Sequence, residues 1–451
     1  MSFTEKIGQA VLDCYEKIKA AICTNEEKHN KDSQNVENAS VPLPADAVIL
    51  ADNVYSTSRH SSCLFEGNNL VIGSTGSGKD RNYVYPNLMQ MNSNYVIMDM
   101  HGECVRKFYH SLRDNGYEIQ VFSASGKPVA VETKAGSTEE VPSLFYNPFA
   151  YIDTEHSVDH LAKTLTSFLD DDHCDPLYVS LLRFLFCAVI DYVSTLDNTD
   201  HRNFYHVKHI ISHFLPNKDD TACPEGFLSQ LAAFYHDHPD RIGASALYRL
   251  TSACETAMLR ETLFTAFVIL DTLFPSTQLS FLPQTYPDEL ELDTFRTKKK
   301  ALFIVLDSKE SPDLCSVLLA QMSQVFMSKR DINLQPVHFL LNDFRVLPIF
   351  DFESLCSSQV HNMMYSIVVQ TISQLGKNLN EIVTNCANIL FLGGSDSETI
   401  DYLRKRAGIT TVYNPHFVLS REDIVLFKIG NPPMECKKYL PESHPKYKEL
   451  P

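Results

Sequence analysis

The segment Gly73-Ser74-Thr75-Gly76-Ser77-Gly78-Lys79 constrains the fold of this chain more than any other stretch. It follows the short apolar run Asn69-Leu70-Val71-Ile72 and precedes residues that keep a helical pattern to about Met91. Strand, glycine-rich turn, lysine and helix in that order make the phosphate-binding loop pattern G-x-x-x-x-G-K. The glycines let backbone N–H groups turn inward around phosphate oxygens, and the following helix adds its positive N-terminal end. Gly73, Ser74, Thr75, Gly76, Ser77, Gly78, Lys79 and Asp80 are therefore the expected nucleotide-binding residues, with Lys79 reaching the β- and γ-phosphates of ATP. A glycine-rich turn with no ligand is the bland alternative, and the strand, lysine and helix in register weigh against it. One position departs from the pattern. The residue after the lysine is ordinarily Ser or Thr, whose hydroxyl binds Mg²⁺; here it is Asp80. A carboxylate is a better magnesium ligand, but it repels phosphate when no metal stands between them.

The pattern around the loop is α/β. Tyr95–Asp99 and Glu118–Phe122 read as buried strands, with a helix over Val105–Leu112 between them. Strands alternating with helices predict a parallel sheet with helices on its faces. From about Asp153 to Leu292 the strand signal fades, and His156–Leu169, Pro176–Thr195, Val207–Phe214, Glu225–His236 and Ala244–Leu273 read as helices. Apolar strands then return at 301–306, 337–341, 365–370, 387–392 and 424–427. The simplest account is a nucleotide-binding domain in two parts, 46–152 and 293–451, split by an inserted all-α domain at 153–292. Residues 1–24 read as an amphipathic helix and 25–45 as a polar linker, giving an N-terminal unit of 1–45.

Composition narrows the partners. A net charge of −17 argues against an outer surface that coats nucleic acid, since such binding sets Lys and Arg against phosphate. It leaves room for a basic channel, for which Arg81, Arg404, Lys405 and Arg406 are candidates beside the plainer reading of solvated helix faces. The twelve cysteines form no CxxC pair and read as buried thiols of a reducing compartment. Asp170-Asp171-Asp172 reads as an acidic surface loop. No stretch reads as long and apolar enough to span a bilayer; the nearest, Leu181 to Val193, is broken by Arg183 and Asp191. The expectation is a cytoplasmic protein, peripheral at the inner face of the membrane at most.

A phosphate-loop enzyme needs a second carboxylate at a neighbouring strand end to complete the magnesium shell. Two strands end suitably, one in Asp99 and the other in Asn342-Asp343-Phe344. At this point an ordered series of motifs resembles the conjugative coupling proteins of type IV secretion, the TraG/TraD-type DNA transfer ATPases. Asn68 to Gly73 leads into the loop, and Tyr95 to Asp99 with Gly102-Glu103 is similar to the family's DPKGE strand end. Tyr146-Asn147-Pro148-Phe149 matches its YNPF. Asp175-Pro176-Leu177-Tyr178 resembles the start of a helix in its all-α domain, and Val337 to Phe344 its LLDEF strand. Gln370 to Leu375 resembles its Q-x-x-x-Q-L, and Asn385 to Asp396 its late strand and polar turn.

The resemblance implies a RecA-like motor domain carrying an all-α insertion. It implies a homo-oligomer, a hexameric ring with nucleotide between subunits. Its partners are single-stranded DNA or a relaxase–DNA complex and the proteins of the secretion channel, with the membrane reached only through a partner. ATP and Mg²⁺ are the implied cofactors. Asp343 would position the attacking water, while Gln370 either senses the γ-phosphate or caps its strand. Departures accompany the likeness. Family members often begin with transmembrane helices. Here Asp80 replaces the loop hydroxyl, His101 replaces a lysine, Asn342 replaces the first Walker B carboxylate, and Gln359 and His361 stand where arginines are usual. Two accounts follow. In one, the metal ligand has moved between walls, so that Asp80 binds Mg²⁺ and Asn342 holds a metal-bound water. In the other, the site has decayed and the chain is a nucleotide-binding docking or regulatory subunit that does not hydrolyse ATP.

Overall fold

Eight apolar runs of the sequence become strands of one nine-stranded sheet in the computed structural model. It describes residues 43–57, 67–133, 135–169, 174–215, 224–274, 287–306, 313–329, 334–344, 347, 350–408 and 420–450. The expected helix over 1–24, most of the polar linker and Asp170-Asp171-Asp172 lie outside these residues.

The strands are β1 Ala47–Ala51, β2 Val54–Thr57, β3 Asn68–Ile72, β4 Asn94–Met100, β5 Glu118–Ser123, β6 Val129–Glu132, β7 Thr138–Val141, β8 Lys300–Leu306, β9 Val337–Leu341, β10 Met363–Val369, β11 Cys386–Phe391, β12 Asp423–Lys428 and β13 Met434–Lys437. In space the large sheet runs β13-β12-β11-β3-β10-β9-β4-β8-β5. From β11 to β5 every neighbouring pair is parallel, and β12 and β13 add an antiparallel edge. Both faces of the central strands are covered, which is why they read as mostly apolar runs. Register decides function. Ile72 lies beside Val369 and Phe391, and Leu341 beside Ile367 and Met98. The carboxyl ends of β3, β9 and β10 therefore share one edge of the sheet, and Gly73, Asn342 and Gln370 leave the strands together.

One face of the sheet packs helices α1 (Tyr85–Gln90) and α2 (Glu103–Asp114) through Leu88, Met89, Phe108 and Leu112. The other face packs the helical insertion: α3 Glu155–Thr166, α4 Pro176–Ser194, α5 Phe204–His213, α6 Pro224–Asp237, α7 Ile242–Ala253 and α8 Thr256–Leu273. Helices α9 Asp313–Ser328, α10 Phe352–Ser357, α11 Leu379–Thr384 and α12 Ser397–Arg406 join the later strands. The insertion begins at a tie made by Tyr146-Asn147-Pro148-Phe149. Tyr146 OH donates to Gln321 Oε1 of α9 at 2.6 Å, and Gln321 Nε2 donates to Pro148 O at 3.0 Å. Asp175 caps α4 by accepting from Leu177 N at 2.9 Å, with Pro176 at the first helical position.

Two expectations change here. The single helix read over Ala244–Leu273 is two, because Cys254 and Glu255 take extended backbone. One helix of that length would run about 45 Å. The break instead folds Leu247 and Leu250 of α7, and Leu259 and Leu263 of α8, back onto the bundle around α4. The second change concerns α4. Among the described residues it is the one helix long and apolar enough to cross a membrane, with mean hydropathy 1.7 and 56% of that window buried. Its apolar side chains, Leu181 to Val193, form the core of the insertion. Its charges are paired, Arg183 with Asp159 and Asp191 with Arg241, at 2.5 and 2.6 Å.

Candidate nucleotide site

The loop after β3 is pinned on both sides. Gly73 N donates to Val369 O of β10, and Ser74 N to Gly393 O beyond β11, each at 3.0 Å. Gly78 takes a φ of +90°, and a Cβ there would collide with the Asn82 side chain, so glycine is required. A π-helical turn over Asp80–Val84 then leads into α1. Lys79 is 8% exposed. Its Nζ donates to Gly73 O at 2.8 Å and Ser74 O at 3.3 Å, bent back over the loop that a phosphate would fill. Burial lowers its pKa, against the opposing pull of Asp80 and Asp343.

The facing wall comes from β9 and β10. Asn342, just past β9, donates from Nδ2 to Asp80 Oδ1 at 2.5 Å. The two positions that depart from the usual pattern thus touch. Burial raises the Asp80 pKa; the Asn342 hydrogen bond and Lys79 lower it, and Asp343 and Glu103 add to the rise. Asp343 has a φ of +52° and accepts from Gln370 Nε2 at 3.4 Å. The backbone N–H of Gln370 is taken by Gln374 Oε1 at 2.8 Å, so its side chain turns toward Asp343 while Gln374 caps the strand.

Asp99, the other strand-end acid, is drawn off. Its two oxygens accept from Cys104 N at 3.0 Å and Val105 N at 2.8 Å, capping α2, whose N-terminal Gly102 has no side chain to do so. Burial pushes its pKa up to about 6, with those two hydrogen bonds opposing. Glu103, the first residue of α2 and the end of the Asp99-to-Glu103 motif, acts on Asp80 electrostatically. His101 is exposed with a φ of +64°. His338 is buried, neutral with its pKa lowered to about 3, and hydrogen-bonded to Ser366 Oγ at 2.8 Å beneath the loop helix. Of the candidate basic residues, Arg81 pairs with Glu442 at 2.6 Å, and Arg404 lies 3.6 Å from Asp401 on α12.

A further wall was not legible in sequence. The C-terminal segment returns over the loop, with Lys438 Nζ donating to Ser77 O at 3.0 Å and Asn82 Nδ2 to Tyr439 O at 2.9 Å. The donor set suits a magnesium nucleotide: a buried ammonium on loop carbonyls, a glycine cradle, and oxygen ligands from Asp80, Asn342 and Asp343. Ser77 Oγ is buried without a hydrogen-bond partner among the described residues.

The family model for type IV secretory system conjugative DNA transfer matches residues 16–424. The fold is similar to the bacterial conjugative coupling protein TrwBdeltaN70 in an unbound form, at 14% identity over 82% of this chain and 84% of that one, TM-score 0.60. The plasmid coupling protein TrwB in complex with the ATP analogue ADPNP is similar at 15% identity, 83% and 85% coverage and TM-score 0.60. TrwB with ADP and Mg²⁺ is similar at 15%, 83% and 85%, with TM-score 0.61. These likenesses show the fold, a RecA-like phosphate-loop domain with an all-α domain. No curated protein sequence matches the chain.

Proposed function

Because the chain belongs to the type IV secretory system conjugative DNA transfer family, we propose that it is a nucleotide-dependent coupling protein that brings DNA to a type IV secretion channel. ATP would place its phosphates on Lys79 and the loop amides. Mg²⁺ would be held by Asp80, with Asn342 on a metal-bound water, and when bound it neutralises phosphate charge. Asp343, tethered by Gln370, would orient a water. The 2.5 Å contact between Asp80 and Asn342 carries this reading. A carboxylate gained on one wall faces a carboxylate lost on the other, so formal charge around the metal position matches the ordinary arrangement. Two reciprocal changes that touch are what compensation requires.

The partners follow the family: DNA, bound as a single strand or with its relaxase, and channel proteins that bring the chain to the membrane. A homo-oligomeric ring would confine DNA to a channel, in keeping with the net charge of −17. The division into 46–152, 153–292 and 293–451 assigns the motor to the sheet and the insertion to its own all-α domain. A docking or regulatory subunit that binds nucleotide without hydrolysis is the second reading. Asp99 favours it, since both its oxygens are engaged in capping α2. Steady-state ATPase measurement with and without single-stranded DNA separates the two. The motor reading expects Mg²⁺-dependent turnover that DNA increases; binding without turnover under both conditions supports the docking subunit instead.

A further inference from the structure

The outer face of the loop, from Gly76 and Gly78 to Arg81, opens into a cavity of about 720 Å³. That is the size of a small-molecule site. The far side of the cavity is the C-terminal segment, represented by Glu442, Tyr447, Lys448 and Leu450. This segment is fixed at both ends. Besides the contacts of Lys438 and Tyr439, Arg81 Nη2 donates to Glu442 Oε1 at 2.6 Å, and Asn115 Nδ2 of α2 donates to Glu449 Oε2 at 2.8 Å. The floor is apolar, with Tyr85 and Leu450 packed on the core below. The Lys107 ammonium covers the Tyr85 ring at 4.8 Å. Tyr447 keeps 38% of its surface open.

Toward β9 and β10 the loop is met by Asn342 and Asp343, which leaves the rest of a bound nucleotide the side that opens on this cavity. The cavity also takes in Lys79 and Asp80, so it is continuous with the phosphate loop. We propose that its outer part, beyond Lys79 and Asp80, is the nucleobase and ribose subsite, walled by the C-terminal segment, with the Tyr447 ring stacking on a purine. Aromatic rings take bases by their faces regardless of sequence, and the charged groups at the rim, Glu132 and Lys448, can meet base edges and ribose hydroxyls. This assignment rests on the reading that the loop holds a nucleoside triphosphate.

Calorimetric titration of the full chain with ATP and with inorganic tripolyphosphate, each with Mg²⁺, tests it in the wild type, Tyr447→Ala, Tyr447→Phe and Lys79→Ala. The expected result is that ATP binds about tenfold or more tightly than tripolyphosphate, the scale of one stacked base. Tyr447→Ala removes that difference and leaves tripolyphosphate affinity unchanged, which also shows that the variant is folded; Tyr447→Phe retains it. Equal wild-type affinities for the two ligands, or full ATP affinity in Tyr447→Ala, overturns the subsite. If Lys79→Ala still weakens both ligands in that case, the phosphate-loop reading stands alone. A wild type that binds neither ligand overturns both.

Discussion

On the loop wall, residues 73–79 meet the phosphate-binding pattern in sequence and in backbone conformation, whereas the facing wall at the ends of β9 and β10 carries an amide where a carboxylate is usual. The loop works through backbone N–H groups and glycine dihedrals, which no other residue type reproduces at Gly78. The facing wall works through side chains, whose charge can be redistributed as long as the sum around the metal is kept. Variation has collected where side chains alone do the work, at Asp80 and Asn342, and these two meet.

The largest effect should come from the loop wall. Lys79→Ala is expected to weaken MgATP binding more than a hundredfold, on the order of 3 kcal/mol for a charge-assisted contact in a buried site. Calorimetry checks it; equal affinity in variant and wild type would break the assignment of the loop as the binding wall.

Asp99 is an acid at a strand end that belongs to neither wall. Its pKa, about 6 in the folded protein against the ordinary 3.8, means the folded state keeps a proton that the unfolded chain has lost between those values. Stability contributed by this group is therefore present at low pH and falls as pH rises through that window, by about 3 kcal/mol in total. Asp99→Asn should remove that slope in denaturation curves taken from pH 4 to pH 6, and should leave MgATP affinity at neutral pH unchanged. A variant with a lowered Mg²⁺ requirement or lost nucleotide binding would place Asp99 in the metal shell after all.

A smaller effect is expected at Gln370. Its contact with Asp343 is long, at 3.4 Å, and its strand is capped by Gln374. Gln370→Ala should cost stability no more than about 1 kcal/mol. Under the motor reading it lowers turnover with little change in nucleotide affinity. Wild-type turnover in the variant would leave Gln370 a structural residue.

Much of this was legible in the sequence, for identifiable reasons. Central strands buried on both faces are mostly apolar, with isolated buried polar residues such as His338, Ser366 and Asn388, so β3, β4 and β8 to β11 stood out. The hairpins β1–β2 and β6–β7 and the edge strand β13 did not. Val129–Glu132, Thr138–Val141 and Met434–Lys437 span four residues each and are largely exposed or half-buried, too short and too polar for a period to show. The break between α7 and α8 has neither glycine nor proline to mark it, and tertiary packing on α4 sets it. Asp80 and Asn342 could be paired in advance because both sit at fixed offsets, one after the loop lysine and one after β9. The capping role of Asp99 depends on which way a side chain turns after its strand. The C-terminal wall depends on contacts such as Lys438 to Ser77 across 361 residues. Neither leaves a local pattern.

A double-mutant cycle on Asp80 and Asn342 tests the reciprocal exchange between the two walls. Mg²⁺-dependent ATP affinity and turnover would be measured for the wild type, Asp80→Thr, Asn342→Asp and the double variant. With the exchange in place, the wild type shows Mg²⁺-dependent hydrolysis that Asp80→Thr abolishes and the double variant restores. The expected coupling in affinity is about 1–3 kcal/mol, as for residues in direct contact. Additive losses in the double variant, or a wild type without hydrolysis even when assembled with DNA, would contradict the exchange.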